Sequence, residues 1–286
     1  MKRPAIALAA TLTSTSAVAC TSEADVTLLN GGQEFVGTLC ALEDETAPTV
    51  LLLHGFTGAR DELPSEAVPE GVFAYTAKAL ADAGYQSLRI DFRGSGESLG
   101  DLTFEDTTFK GQIADAQAAV AYLADQATSE VYVIGWSQGG LVAAALAGRG
   151  ADVAGVALWN AVADPRATYG ALFGSEALEA AIAAPADEVR ELALPWGVEL
   201  TLKGAFFDDV AALDPLMEIA SYGGPLLAAN GMTDTLVAPG SGQAYVDANG
   251  GGTVYRADMD HVFDIFADAS DLDAMIAATI ALFDGS

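Results

Sequence analysis

Two serine-centred pentapeptides are the first residues in this chain that could do chemistry. Gly135-Trp136-Ser137-Gln138-Gly139 and Gly96-Glu97-Ser98-Leu99-Gly100 both fit G-x-S-x-G, the pattern of a serine held on a sharp strand-to-helix turn. The pattern alone is weak in a chain with 30 glycines, so the flanking residues decide between the two. Ser137 follows the β-prone run Val131-Tyr132-Val133-Ile134 and precedes Gly140-Leu141-Val142-Ala143-Ala144-Ala145-Leu146, an apolar helix start whose small side chains allow close packing on a sheet. Ser98 lies in the turn-rich Arg93-Gly94-Ser95-Gly96-Glu97-Ser98, which leads into polar Asp101, Thr103, Glu105 and Asp106 and reads as a loop. Ser137 is therefore the expected nucleophile.

A serine hydroxyl needs a neighbouring base to take its proton and return it to a leaving group. Only two histidines exist, His54 and His261. His261 follows the last β-prone run in Ala257-Asp258-Met259-Asp260-His261 and is the expected base. Its ring needs a carboxylate to fix one tautomer, and Asp234, just after the run from Pro225 to Asn230, is best placed to supply it. Asp258 and Asp260 are alternatives, but their closeness in sequence to His261 makes orientation toward its ring harder. The order Ser, Asp, His along the chain is a hydrolase arrangement. A tetrahedral intermediate also needs two backbone donors, each worth roughly 10²–10³ in rate. The Gln138 amide, at a helix start, is the expected first donor. Phe56 in Leu53-His54-Gly55-Phe56-Thr57-Gly58 is the expected second, with His54 shaping that turn.

These residues need a scaffold, and the hydropathy pattern predicts one. Strands are expected at 50–53, 87–91, 131–135, 153–159, 225–230 and 253–256, alternating with helices at 72–83, 107–127, 141–147, 242–248 and 262–283. The strands are short and nearly all apolar, as when helices cover both faces of a mostly parallel sheet, so the expected class is α/β. About 65 residues separate Trp159 from Pro225, far more than a crossover requires. An inserted cap is expected at about 160–223, over the strand ends where open α/β sheets bind ligands. Its Tyr169, Trp196, Phe206 and Phe207 are candidate substrate contacts.

Composition narrows the function. The 286 residues are 51% apolar, enough for one sizeable catalytic domain. Forty acidic residues against 12 basic ones give a net charge of -28, which repels nucleic acid and anionic membrane surfaces. Residues 1–19 combine Lys2 and Arg3, the apolar run Ile6 to Ala10 and a terminal Ala17-Val18-Ala19, which predicts a removable signal peptide and a periplasmic or secreted protein spanning 20–286. No apolar run reaches the length of a transmembrane helix. The two cysteines, Cys20 and Cys40, flank an expected hairpin around Asn30-Gly31-Gly32, so a disulfide is expected, with lipid attachment at Cys20 as its rival.

With the His-Gly-Phe-Thr-Gly opening, Asp91-Phe92-Arg93-Gly94-Ser95-Gly96-Glu97-Ser98, the serine turn, the Asp234 and His261 segments and the cap stretch Leu200-Thr201-Leu202-Lys203-Gly204-Ala205-Phe206-Phe207, the chain resembles the cinnamoyl (feruloyl) esterase group of α/β-hydrolases from about Val50 to Phe283. That resemblance implies an α/β-hydrolase fold with a serine esterase site, and a cap pocket for a hydroxycinnamoyl group. It also implies a cap aspartate and tyrosine on the phenolic hydroxyl. Asp164 is the candidate aspartate; Phe206 and Phe207 stand where the group tends to show the tyrosine, and Trp136 stands where histidine is common. The expected activity is hydrolysis of a small-molecule ester through an acyl-enzyme, with no metal or organic cofactor. Thioesterase and lactonase chemistry would use the same apparatus. A serine peptidase of aminopeptidase type and a non-catalytic binding scaffold are the alternatives from other classes; a haloalkane dehalogenase is disfavoured because serine, not aspartate, occupies the turn.

Overall fold

A computed structural model describes residues 20–286. The expected signal peptide, 1–19, lies outside the described residues. The chain opens with an antiparallel hairpin, β1 (Ser22–Asn30) and β2 (Gln33–Ala41). Gly31 and Gly32 turn it at φ 60° and 84°, values that a residue without Cβ adopts readily. A disulfide joins Cys20 to Cys40 across the hairpin, with Cα atoms 5.5 Å apart.

Next come β3 (Thr49–Leu53), α1 (Val72–Asp82), β4 (Gln86–Ile90), α2 (Phe109–Ala124), β5 (Val131–Trp136), α3 (Gln138–Gly148) and β6 (Gly155–Trp159). The interval before the next sheet strand holds α4 (Pro165–Phe173), α5 (Ser175–Ile182), the antiparallel pair β7 (Val189–Ala193) and β8 (Glu199–Lys203), α6 (Gly204–Ala212) and α7 (Pro215–Ile219). The chain then returns through β9 (Leu226–Gly231), α8 (Ser241–Asn249), β10 (Thr253–Ala257) and α9 (Ser270–Phe283).

Eight strands form the main sheet in the order β1-β2-β4-β3-β5-β6-β9-β10. From β4 onward every neighbouring pair is parallel, and β1 and β2 add an antiparallel edge. Alternation along the strands feeds two cores. Leu51, Leu53 and Val133 join the core under α2 and α3, while Val50, Leu52, Tyr132 and Ile134 join the one under α1 and α9. All five residues of β3 and all six of β5 are buried, as expected of strands covered on both faces. The chain leaves β3 for β4 on one side and returns to β5 on the other, so the crevice beyond β3 and β5 is the topological switch point. Leu53 pairs with Gly135 there, which sets the loop after β3 beside the turn after β5.

One expected element is corrected. The last helix begins at Ser270, not near Val262, and the preceding segment is a series of turns with Phe263 and Asp264 at φ 63° and 53°. Asp260 Oδ1 accepts the amides of Val262 (2.8 Å) and Asp264 (3.0 Å), offering the backbone a local alternative to helical bonds.

Candidate active site

Ser137 follows β5 on a backbone turn that its own residue type would avoid, at φ 55° and ψ −115°. Such a conformation persists only where the surroundings over-determine it. Here the Ser137 amide donates to Trp159 O (2.9 Å) and its carbonyl accepts from Val162 N (3.1 Å), which ties it to the end of β6. The glycines of the motif allow the tight crossing: a Cβ on Gly139 would lie 2.0 Å from Leu53 O, and one on Gly135 would lie 2.3 Å from Gly139 O. Ser98 has a different employment. Its hydroxyl donates to Asp91 O and accepts from Val36 N, both at 2.8 Å, which pins its loop to the sheet.

His261 lies beyond β10 and Asp234 beyond β9, and both reach the serine. His261 Nε2 is 3.0 Å from Ser137 Oγ, and His261 Nδ1 is 2.7 Å from Asp234 Oδ2. The Asp234 side chain is fully buried. Its second oxygen, Oδ1, accepts from Leu236 N (2.8 Å) and Val237 N (2.9 Å), so the carboxylate has one orientation, with Oδ2 facing the ring. Asp260 spends its carboxylate on the turn that follows it and makes no bond to the His261 ring.

Asn160, which the sequence reading did not single out, and Trp136, to which it gave no such role, hold the histidine loop. Buried Asn160, at φ 42°, donates through Nδ2 to the carbonyls of Asp260 (3.2 Å) and His261 (3.1 Å) and accepts from Gly231 N at 2.7 Å. It thus links the ends of β6 and β9 to the histidine. Trp136 Nε1 also donates to His261 O at 3.2 Å. A polar residue directly after a buried strand was the available signal for Asn160.

The loop after β3 forms the facing wall. His54 is buried, with Nδ1 2.8 Å from Gly55 O and Nε2 accepting from Phe92 N at 3.2 Å; burial lowers its pKa, so it is a neutral brace for this turn. A Cβ built on Gly55 would sit 3.4 Å from Ser137 Cβ, which shows how closely the loop abuts the serine. The Phe56 and Gln138 amides make no hydrogen bond to an acceptor among the described residues. The Gln138 side chain is locked from both ends: Nε2 donates to Gln112 Oε1 (2.7 Å), and Oε1 accepts from the Tyr169 hydroxyl. Glu62, also absent from the sequence reading, sits behind the loop; Gly55 N donates to its Oε1 at 2.5 Å.

A cavity of about 430 Å³ opens onto Ser137 and His261. Its walls are mostly apolar, with Phe56, Leu63, Trp136, Val162, Leu172 and Phe266 among them. Tyr169 and Trp196 from the cap line it too; Tyr169 is buried, whereas Trp196 is 54% exposed at the rim. Three expected substrate contacts are not there. Phe206 and Phe207 are fully buried in the core that joins the cap to α2, where Phe206 packs on Phe109 and Tyr169 at centroid distances of 5.3 and 5.1 Å and Phe207 on Phe173 at 6.1 Å. Both lie on α6, whose apolar face is needed to seat the cap on α2. Asp164 is exposed and caps α4, accepting from Ala167 N at 3.0 Å ahead of Pro165, a helix-starting role that its sequence context also fits.

Among the described residues no group of three or more His, Cys, Asp or Glu side chains is placed to hold a metal ion, and no helix is long and apolar enough to cross a membrane.

Comparison with known proteins agrees with this architecture. The family model for the alpha/beta hydrolase fold matches residues 48–177. A thermostable monoacylglycerol lipase from Bacillus sp. (strain H-257) is 33% identical over 128 residues, covering 44% of this chain and 46% of the lipase. The match thus spans about half the length of that curated relative. Among solved structures, the ferulic acid complex of Est1E from Butyrivibrio proteoclasticus has a TM-score of 0.70 at 19% identity, over 90% of this chain and 97% of that one. The esterase Pf2001 from Pyrococcus furiosus gives 0.66 at 21%, over 92% of each chain. The esterase domain of a Rhodothermus marinus protein gives 0.65 at 23%, over 91% of this chain and 97% of that one. With the eight-stranded sheet, the switch-point crevice and these likenesses together, the chain has the alpha/beta hydrolase fold.

Proposed function

We propose that this protein hydrolyses carboxylic esters through an acyl-enzyme formed on Ser137. The observation that carries the reading is the continuous relay from Ser137 Oγ through His261 to Asp234 at 3.0 and 2.7 Å, opening onto an apolar cavity. In this scheme His261 Nε2 takes the serine proton as Oγ attacks the ester carbonyl, and Asp234 holds the ring and steadies its positive charge. The Phe56 and Gln138 amides receive the oxyanion. His261 then protonates the departing alcohol, and a water molecule activated in the same way releases the acid and regenerates the serine.

The cavity walls favour an apolar acyl group, aromatic or aliphatic. Asp164 does not line the cavity, and the Tyr169 hydroxyl, which comes from a lining residue, is already bound to Gln138. Hydroxycinnamoyl esters therefore enter as one member of the apolar acyl class. The ferulic acid complex of Est1E and the monoacylglycerol lipase bracket that class from its aromatic and aliphatic sides. A peptidase site for a free amine needs an ionised carboxylate. Among the described residues Glu62 is the one acidic residue lining the cavity, and burial pushes it up to about 8, which favours uncharged ligands at neutral pH.

Export belongs to the same proposal, resting on residues 1–19 and the Cys20–Cys40 bond. The test is a panel of alkyl, p-nitrophenyl and hydroxycinnamoyl esters with aminoacyl anilides alongside. Ester turnover should fall by orders of magnitude in Ser137→Ala, and a fluorophosphonate should label Ser137 in the unaltered protein. Retention of most activity by Ser137→Ala would end the serine mechanism, and cleavage of anilides in preference to esters would end the esterase reading.

A further inference from the structure

Glu62 is a buried acid that the proposed mechanism does not use, and its surroundings are built around it. It is 9% exposed and lines both the Ser137 cavity and an adjoining polar cavity of about 480 Å³. Its backbone is left-handed at φ 59°, as is that of Thr57 at φ 64°, so both ends of the segment are held in a conformation their residue types do not favour. Oε1 accepts from Gly55 N at 2.5 Å. On the other side of the turn, a Cβ at position 58 would lie 2.5 and 2.6 Å from the two carboxyl oxygens, so any larger residue there would displace this carboxyl from its place. Gly58 N in turn donates to Gly55 O at 3.2 Å, which closes the turn with Phe56 and Thr57 at its centre.

Resting on the esterase reading, we propose that Glu62 is the positioning residue of the oxyanion loop: its carboxyl holds Gly55 and supports Gly58, and so aims the Phe56 amide at the reacting carbonyl. The neutral form of the carboxyl matters because of distance. The Gly55 Cβ position lies 3.6 Å from Glu62 Oε1 and 3.4 Å from Ser137 Cβ, which leaves the acid within about 7 Å of the serine. A negative charge there opposes the oxyanion; at an effective dielectric of about 20 and that separation, turnover drops roughly 50-fold.

Desolvation, reinforced by the charge of Asp91, raises the pKa of Glu62 to about 8, and the Gly55 hydrogen bond opposes this only in part. The charged groups around it are accounted for: Asp91 and Glu97 pair with Arg60, Asp61 pairs with Arg89, His54 is neutral, and His261 faces it across the cavity. The sign follows directly. Below the raised pKa the acid is neutral and the loop works; as pH rises through about 8 it ionises, and turnover falls.

The test compares Glu62→Ala and Glu62→Gln with the unaltered protein in kcat, KM and pH profile, together with the Gly55 amide resonance. Glu62→Ala, which strands the Gly55 N–H, should lower kcat about 10- to 100-fold with KM little changed. Glu62→Gln, which restores an uncharged acceptor, should recover most of that loss and remove the alkaline fall. The Gly55 resonance should titrate near pH 8 in the unaltered protein and not in Glu62→Gln. An alkaline limb of the same midpoint in Glu62→Gln, or full kcat in Glu62→Ala, overturns the proposal. If Glu62→Ala does not fold, the Gln profile decides alone. If the unaltered protein cleaves no ester, the esterase reading fails separately, and the Gly55 titration still decides whether Glu62 holds the loop.

Discussion

Asp234→Asn tests the relay most sharply, because the structure dictates which way the new amide must face. Oδ1 of Asp234 accepts two backbone amides, Leu236 N at 2.8 Å and Val237 N at 2.9 Å. An asparagine must place its carbonyl oxygen there, since turning its NH₂ toward two donors would leave both unpaired. The NH₂ then points at His261 Nδ1, 2.7 Å from the present Oδ2. That nitrogen must become an acceptor, so the ring proton moves to Nε2 and the base can no longer take the serine proton. Two magnitudes separate the explanations. Losing only the charge of a charge-assisted hydrogen bond costs about 1.5–3 kcal/mol, roughly 10- to 10²-fold in rate. Reversing the tautomer costs about 10⁴-fold, or ~5.4 kcal/mol. The larger value is expected here. The assay is kcat on a methyl or ethyl ester, whose leaving group needs the proton, with thermal unfolding as the control. Both backbone caps survive the change, so the melting temperature should move little. A loss of 10² or less in a folded Asp234→Asn protein would refute the tautomer argument and leave Asp234 as a source of charge alone.

Two further outcomes are expected. Asp164→Ala removes the side-chain cap of α4 and should cost about 1 kcal/mol of stability, read by denaturant unfolding, with kcat and KM for hydroxycinnamoyl esters unaltered; a selective rise in KM for phenolic esters would restore Asp164 as a substrate contact. Reduction of the Cys20–Cys40 bond, which closes a loop with a sequence separation of 20, should lower stability by up to about 3 kcal/mol in a chain-entropy account, and, if residues 1–19 are removed as proposed, intact mass should show a chain beginning at Cys20 and lighter by two hydrogens; an added lipid mass on Cys20 would contradict both.

The sequence by itself determined the scaffold and the residues that could serve on it. Period and composition are local properties, so the buried runs that became β3, β5 and β9, the glycines that let the serine turn pass under Leu53 O, and the hairpin at Gly31-Gly32 could all be read in order along the chain. Scarcity helped as well, because two histidines leave little choice of base. Tertiary structure alone decided which polar groups meet. Ser137 and His261 are 124 residues apart in sequence, and their 3.0 Å contact exists only because β5 and β10 end at the same edge of one sheet. The same holds for Asn160 bridging β6, β9 and the histidine loop, and for Glu62 under Gly55: each is an ordinary polar residue until folding removes its water and leaves one partner. It holds in reverse for Phe206 and Phe207, whose type suits a pocket wall as well as a core. Which of the two they line depends on where α6 docks, and no local pattern encodes that.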